Sequence, residues 1–222
     1  MNIYVVVEGR AEKIVYSSWI PSLNPLLSEV SYVEELNGNK FLIREGGGMP
    51  QYFDVIAAAV EDARAFPEIS RLVVCVDSED QSFDEKYAEV TTFIAGCNPN
   101  STTDTRVVVQ DFCFEVWALA NRRAMPTTVR EPRLLTFKKH FDVSVRDPEL
   151  LSPLPESEFN RAQTAKSYLR SMISTKWKRE KLGYSEGNPG PVVHPSYFRH
   201  VRARRTDTKH IARLDAFIDA FG

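Results

Sequence analysis

Leu72-Val73-Val74-Cys75-Val76-Asp77-Ser78-Glu79-Asp80 is the stretch on which the rest of the chain is organised. Five apolar residues, mostly β-branched, run without a break and then meet three acids in four positions. That pattern predicts a buried parallel strand ending in a loop. Ligands in open α/β sheets sit at the carboxyl ends of the strands, and hard divalent cations such as Mg²⁺ prefer oxygen ligands. The acids therefore stand where a cation would be held.

Working outward toward the N-terminus, Asn2 to Val7 predicts a first buried strand, closed by Glu8-Gly9-Arg10-Ala11-Glu12 and a helix through Ile14, Val15 and Trp19. An acid that closes a buried strand seldom serves packing, which singles out Glu8. Glu12 lies four residues on, so a helix starting near residue 10 could bring it back toward Glu8, or it could complement the helix dipole. Val30 to Leu36, Asn37-Gly38-Asn39 and Lys40 to Arg44 predict two strands joined by a turn. Glu45-Gly46-Gly47-Gly48 then precedes a strong helix, Tyr52 to Phe66, and reads as a flexible connection or a phosphate cradle without the lysine of a P-loop.

Beyond the central strand, Phe83 to Ile94 predicts a helix, Arg106 to Gln110 a strand, and Asp111 to Ala120 an apolar helix that carries Glu115. A carboxylate among bulky apolar side chains needs a cationic partner or a place in a site; Arg122 and Arg123 are the structural candidates. Residues 121 to 160, rich in proline and mixed charge, read as an insertion or connecting region. A long helix from Glu158 to Leu182 and a final helix from Ser196 to Phe221 complete the chain. The organisation expected is a core over 1–120, the connecting region 121–160, and a basic helical segment 161–222 packed on the core.

Charge is divided along the chain. Residues 1–160 hold 15 basic and 25 acidic groups, while residues 161–222 hold 13 and 5. An acidic half suited to metals thus precedes a basic segment suited to phosphates. Arg10, Lys176, Arg202, Arg204 and Arg205 are the expected nucleic-acid contacts, with Tyr168, Trp177, Tyr184 and Tyr197 as stacking surfaces. The three cysteines, Cys75, Cys97 and Cys113, lack metal spacing and read as buried thiols, and the four histidines are scattered. The chain opens directly on a strand pattern and has no run near the roughly twenty apolar residues of a membrane span. A soluble protein of the reducing cytoplasm is expected, with no membrane partner.

Val7-Glu8-Gly9-x-x-Glu12, a helix, and a later strand ending Val76-Asp77-Ser78-Glu79-Asp80 together resemble the Toprim fold of topoisomerases, primases and the overcoming-lysogenisation-defect nucleases. Phe114-Glu115-Val116-Trp117, Lys166, Lys178 and Pro195-Ser196-Tyr197-Phe198 look like a smaller standalone branch that includes RloB-like proteins of bacterial defence loci. The chain departs from the family at Glu79, where Asp-x-Asp is usual and Asp80 is adjacent, and at Glu12, where aspartate is common. The resemblance implies a Rossmann-type, mostly parallel sheet flanked by helices, and a Mg²⁺- or Mn²⁺-dependent nuclease acting on DNA or RNA in anti-phage defence. Glu8, Asp77 and Glu79 or Asp80 would hold one ion, with Glu12 and Glu115 candidates for a second. Glu8 could instead take a proton from water, and the family role for a lysine falls to Lys166 or Lys178. The alternative keeps the fold without catalysis, as a module binding nucleic acid or a separately encoded ATPase. A homodimer is compatible with either.

Overall fold

A computed structural model describes residues 1–48 and 50–222. Its centre is a five-stranded sheet in the order β2-β3-β1-β4-β5, with β1 Ile3–Val7, β2 Ser28–Val30, β3 Lys40–Glu45, β4 Arg71–Asp77 and β5 Asp104–Gln110. Every pairing is parallel. The helices among the described residues are α1 Arg10–Leu23, α2 Gln51–Ala65, α3 Phe83–Gly96, α4 Glu115–Leu119, α5 Pro132–His140, α6 Arg161–Lys176, α7 Pro195–Thr208 and α8 Leu214–Phe221. This is an α/β, Rossmann-like architecture. None of the helices is long and apolar enough to cross a membrane.

Strand alternation divides the core. Ile3, Val5 and Val7 of β1, with Val73 and Cys75 of β4, face α1 and the helices from α4 onward. Tyr4 and Val6, with Leu72, Val74 and Val76, face α2 and α3. Successive side chains of a strand point to opposite faces, so an uninterrupted apolar run is what burial on both sides requires. Leu134, Phe137, Phe141, Val143 and Leu151 lie in the same cluster as α6, α7 and α8, so residues 121–222 share one core with the front of the sheet.

Four local expectations are corrected. The pair expected as a hairpin is a short parallel edge, with Ser28 opposite Lys40, because the intervening chain closes a 3-10 turn at Val33–Glu35. The Glu35 carboxylate accepts the amides of Ser31 and Tyr32 there, which ends the strand early. The helix expected from Asp111 begins only at Glu115. Phe112 is left-handed (φ 51°), and its amide donates to the Ser78 hydroxyl while that of Phe114 donates to Asp77, so this loop is stitched onto the end of β4.

The helix expected over 158–182 is shorter at both ends. Asn160 and Gln163 form a reciprocal cap at its start. The single final helix is two, broken where Lys209 (φ 63°) and Ile211 (φ 50°) turn left-handed. Thr208 contributes to the break, donating to the Arg204 carbonyl and accepting from the His210 amide.

Candidate functional site

The helix after β1 packs on one face of the sheet, whereas those after its neighbours β3 and β4 pack on the other. Chain reversals of this kind open a crevice at the carboxyl ends of the strands. A cavity of about 410 Å³ lies there, lined by Glu8, Glu12, Asp77, Glu79, Glu115 and Lys166 among others. Segments far apart in sequence meet at this point. Glu8 follows β1, Glu12 stands in the first turn of α1, Asp77 ends β4, Glu115 opens α4, and Lys166 projects from α6.

Backbone amides fix the acids. The Asp77 amide donates to Glu8 Oε2 at 3.1 Å, and the Phe114 amide donates to Asp77 Oδ1 at 3.1 Å. Glu115, 2% exposed, accepts the Tyr184 hydroxyl on Oε1 at 2.6 Å. That hydroxyl, and not Arg122 or Arg123, is its hydrogen-bond partner. The glycine run acts as a scaffold. The Gly46 and Gly48 amides donate to the carbonyls of Val7 and Glu8, and a Cβ on Gly46 would stand 2.5 Å from that of Tyr52. Two of the amides expected to cradle a phosphate are therefore committed to Val7 and Glu8, while Gly47 and Gly48 line the cavity.

Burial and mutual repulsion set the electrostatics. Glu12 is pushed up to about 7, first by burial and then by Glu115. Asp77 is raised well above the usual carboxylate range by burial and by Glu12, Glu8 and Glu115. Glu8 is raised by burial, against the Asp77 amide, with Glu79 adding to the rise. For Lys166, burial pulls downward, but Glu115 and Asp77 outweigh it and the ammonium is held in its charged form. Arg10 also lines the cavity, so two cations face a larger set of carboxylates. Such a pocket carries unneutralised negative charge whenever its acids are ionised.

Not every expected residue is here. Glu79 and Asp80 are both exposed, but of the two Glu79 (φ 48°) lines the cavity and Asp80 does not. Lys178 sits in the exposed turn after α6 beside Lys176 and Arg179, away from the acids. Arg204 is 2% exposed, and its guanidinium donates to the carbonyls of Ala120, Val143 and Arg146. It is a buried staple between α7 and the preceding loops, not a nucleic-acid contact. Arg205 is tied to Asp215 at 2.6 Å, while Arg202 and Lys176 remain exposed. Tyr168, Tyr184 and Tyr197 are buried, which leaves Trp177 half-exposed among the four expected stacking rings.

Two site residues carry no signal in the sequence. Tyr184, expected as a stacking ring, is the partner of Glu115, and Glu186 lines the cavity and pairs with Lys166 at 3.4 Å. Both contacts join segments 20 or more residues apart, so no local pattern carries them.

The donor chemistry fits a hard divalent cation, since the cavity offers several carboxylate oxygens and too few fixed cations to neutralise them. The fit is one of donor type and charge. Among the described residues, no three of His, Cys, Asp and Glu are gathered closely enough to count as a finished coordination shell. Comparison of the chain with protein-family models, with curated proteins and with solved structures gives no match in any of the three.

Proposed function

We propose that the chain is a divalent-metal-dependent hydrolase of nucleic-acid phosphodiester bonds, with Mg²⁺ or Mn²⁺ as its cofactor. The observation that carries this reading is the convergence of Glu8, Glu12, Asp77, Glu79 and Glu115 on one cavity beside Lys166. When bound there, a divalent ion would lower the pKa of a coordinated water and neutralise charge on the phosphoryl oxygens. Glu8, Asp77 and Glu79 are the residues to hold it, with Glu12 and Glu115 as further donors.

In place of holding the ion, Glu8 could accept a proton from the attacking water, its basicity raised by burial. Lys166 keeps its charge and is placed to stabilise the charge that builds on the phosphoryl group. Tyr184 holds Glu115 in one orientation from outside the cavity. Action in anti-phage defence, alone or with a separately encoded ATPase, belongs to the same proposal and rests on the family resemblance.

The test is cleavage of plasmid DNA and of structured RNA by the purified chain with Mg²⁺ or Mn²⁺. Activity that falls by ~100-fold or more in Asp77→Asn and in Glu8→Gln supports the proposal. Metal-independent cleavage, or cleavage indifferent to both substitutions, contradicts it. The unfinished ligand arrangement favours one second reading, a module that binds nucleic acid or a partner without cutting. Binding without cleavage in the same experiment would select it.

A further inference from the structure

A second cavity, of about 450 Å³, lies between the end of α6 and the start of α7. Its lining includes Arg123, Trp177, His194, Ser196, Tyr197 and His200, and no aspartate or glutamate at all. One ring of the aromatic wall is anchored by a hydrogen bond. Tyr197 donates its hydroxyl to the Ala118 carbonyl at 2.8 Å, and the Trp177 ring stands 6.5 Å from it at 35°. The Trp177 carbonyl accepts the Leu182 amide, which fixes the turn that leads to the cavity's rim.

The charge is positive. Arg123 and Arg199 are exposed, and burial, followed by these two cations, holds the His200 imidazole below its ordinary value. Lys176, Lys178 and Arg179 flank the indole along the chain and are exposed as well, lining a neighbouring pocket with Glu180.

Resting on the proposed nucleic-acid hydrolase, we propose that this cavity is the strand-holding subsite, in which one base of a single-stranded segment stacks on Trp177 while Arg123 and Arg199 take the adjoining phosphates. An aromatic face accepts any base, and a cationic rim follows the backbone, which together make a sequence-tolerant site. A peptide partner fits less well, since exposed Arg123 and Arg199 stand beside a single large stacking face. Trp177 follows Lys166 by eleven positions along α6, roughly 16 Å at the helical rise, so one short oligonucleotide can reach both the acids and the indole.

Binding is read with Asp77→Asn protein in EDTA, using a labelled single-stranded 12-mer as DNA and as RNA. Trp19 and Trp117 are fully buried, so quenching of tryptophan emission reports on Trp177. Quenching in the Asp77→Asn protein, with binding weakened about tenfold or more by Trp177→Leu and by Arg123→Glu and less by Trp177→Phe, supports the subsite. With an oligonucleotide abasic at every position, the Trp177→Leu penalty should vanish while the Arg123→Glu penalty stays. Unchanged affinity in the folded Trp177→Leu and Arg123→Glu proteins overturns the subsite, and the hydrolase reading survives if wild-type cleavage persists. Quenching without any cleavage by the wild type supports the subsite and removes the hydrolase.

Discussion

The two cavities are built on opposite plans. One sits at the carboxyl edge of the sheet and gathers carboxylates that repel one another. The other lies between α6 and α7 and is lined by Arg123, two histidines and two aromatic rings, without a single acid. Both draw on the segment from Lys166 to His200, which places Lys166 and Glu186 at the first, with Tyr184 behind Glu115, and Trp177, Tyr197 and His200 at the second. Under the proposed reading the contrast is a division of labour: acids clustered at a cost to stability would be kept where the chemistry needs them, and a strand would be held by charge and stacking elsewhere.

If the division is real, substitutions should separate the two functions. The largest effect is expected at the acid pocket, where Asp77→Asn and Lys166→Ala each lower the cleavage rate by ~100-fold or more. Single-strand affinity measured in EDTA should stay within about threefold. A parallel loss of affinity would show that one site does both jobs. Lys178→Ala sharpens the same test, because that side chain stands with Lys176 and Arg179 away from the acids. Its cleavage rate at saturating substrate should change less than about twofold, with any loss confined to KM.

Stability gives the next largest effect. Arg204→Met removes a buried guanidinium that satisfies three carbonyls and should cost about 2 to 4 kcal/mol in chemical denaturation. Strand binding in the protein that remains folded should be kept, which would confirm that Arg204 acts through the fold.

The acid pocket should also leave a signature in pH. Glu12 has a folded value of about 7 against an ordinary 4.5, so the folded chain binds its proton more tightly than the unfolded chain does. Stability without metal should then fall as pH rises from about 4.5 to about 7, by on the order of 3 kcal/mol from this residue if it titrated alone. Asp77 and Glu8 are shifted in the same direction. Glu12→Gln should flatten the fall, and a thermal midpoint that rises with pH over this window would contradict the charge balance drawn here.

The sheet could be read from sequence because its signals are local. Runs such as Val73 to Val76 and Ile3 to Val7 report burial on both faces, and the acids after them mark the edge where the chain turns. Glu8 and Asp77 could be singled out for the same reason. The hairpin failed because the Glu35 carboxylate closes a 3-10 turn where propensity suggests a strand. The basic C-terminal run failed differently. Its charge count is right, but sequence cannot say that Arg204 points into carbonyls or that Arg205 is held by Asp215. Tyr184 and Glu186 reach the acid pocket only through tertiary packing, so nothing near them in the chain announces the role.

Isothermal titration of Mn²⁺ into metal-free protein at pH 8 decides whether the acids at the ends of β1 and β4 hold a metal. The wild type should give saturable binding of one or two ions, lost in Asp77→Asn and in Glu8→Gln, with a thermal midpoint that rises by several degrees at saturating metal. Equal binding in all three folded proteins, or none in the wild type, would contradict a metal centre at the ends of β1 and β4.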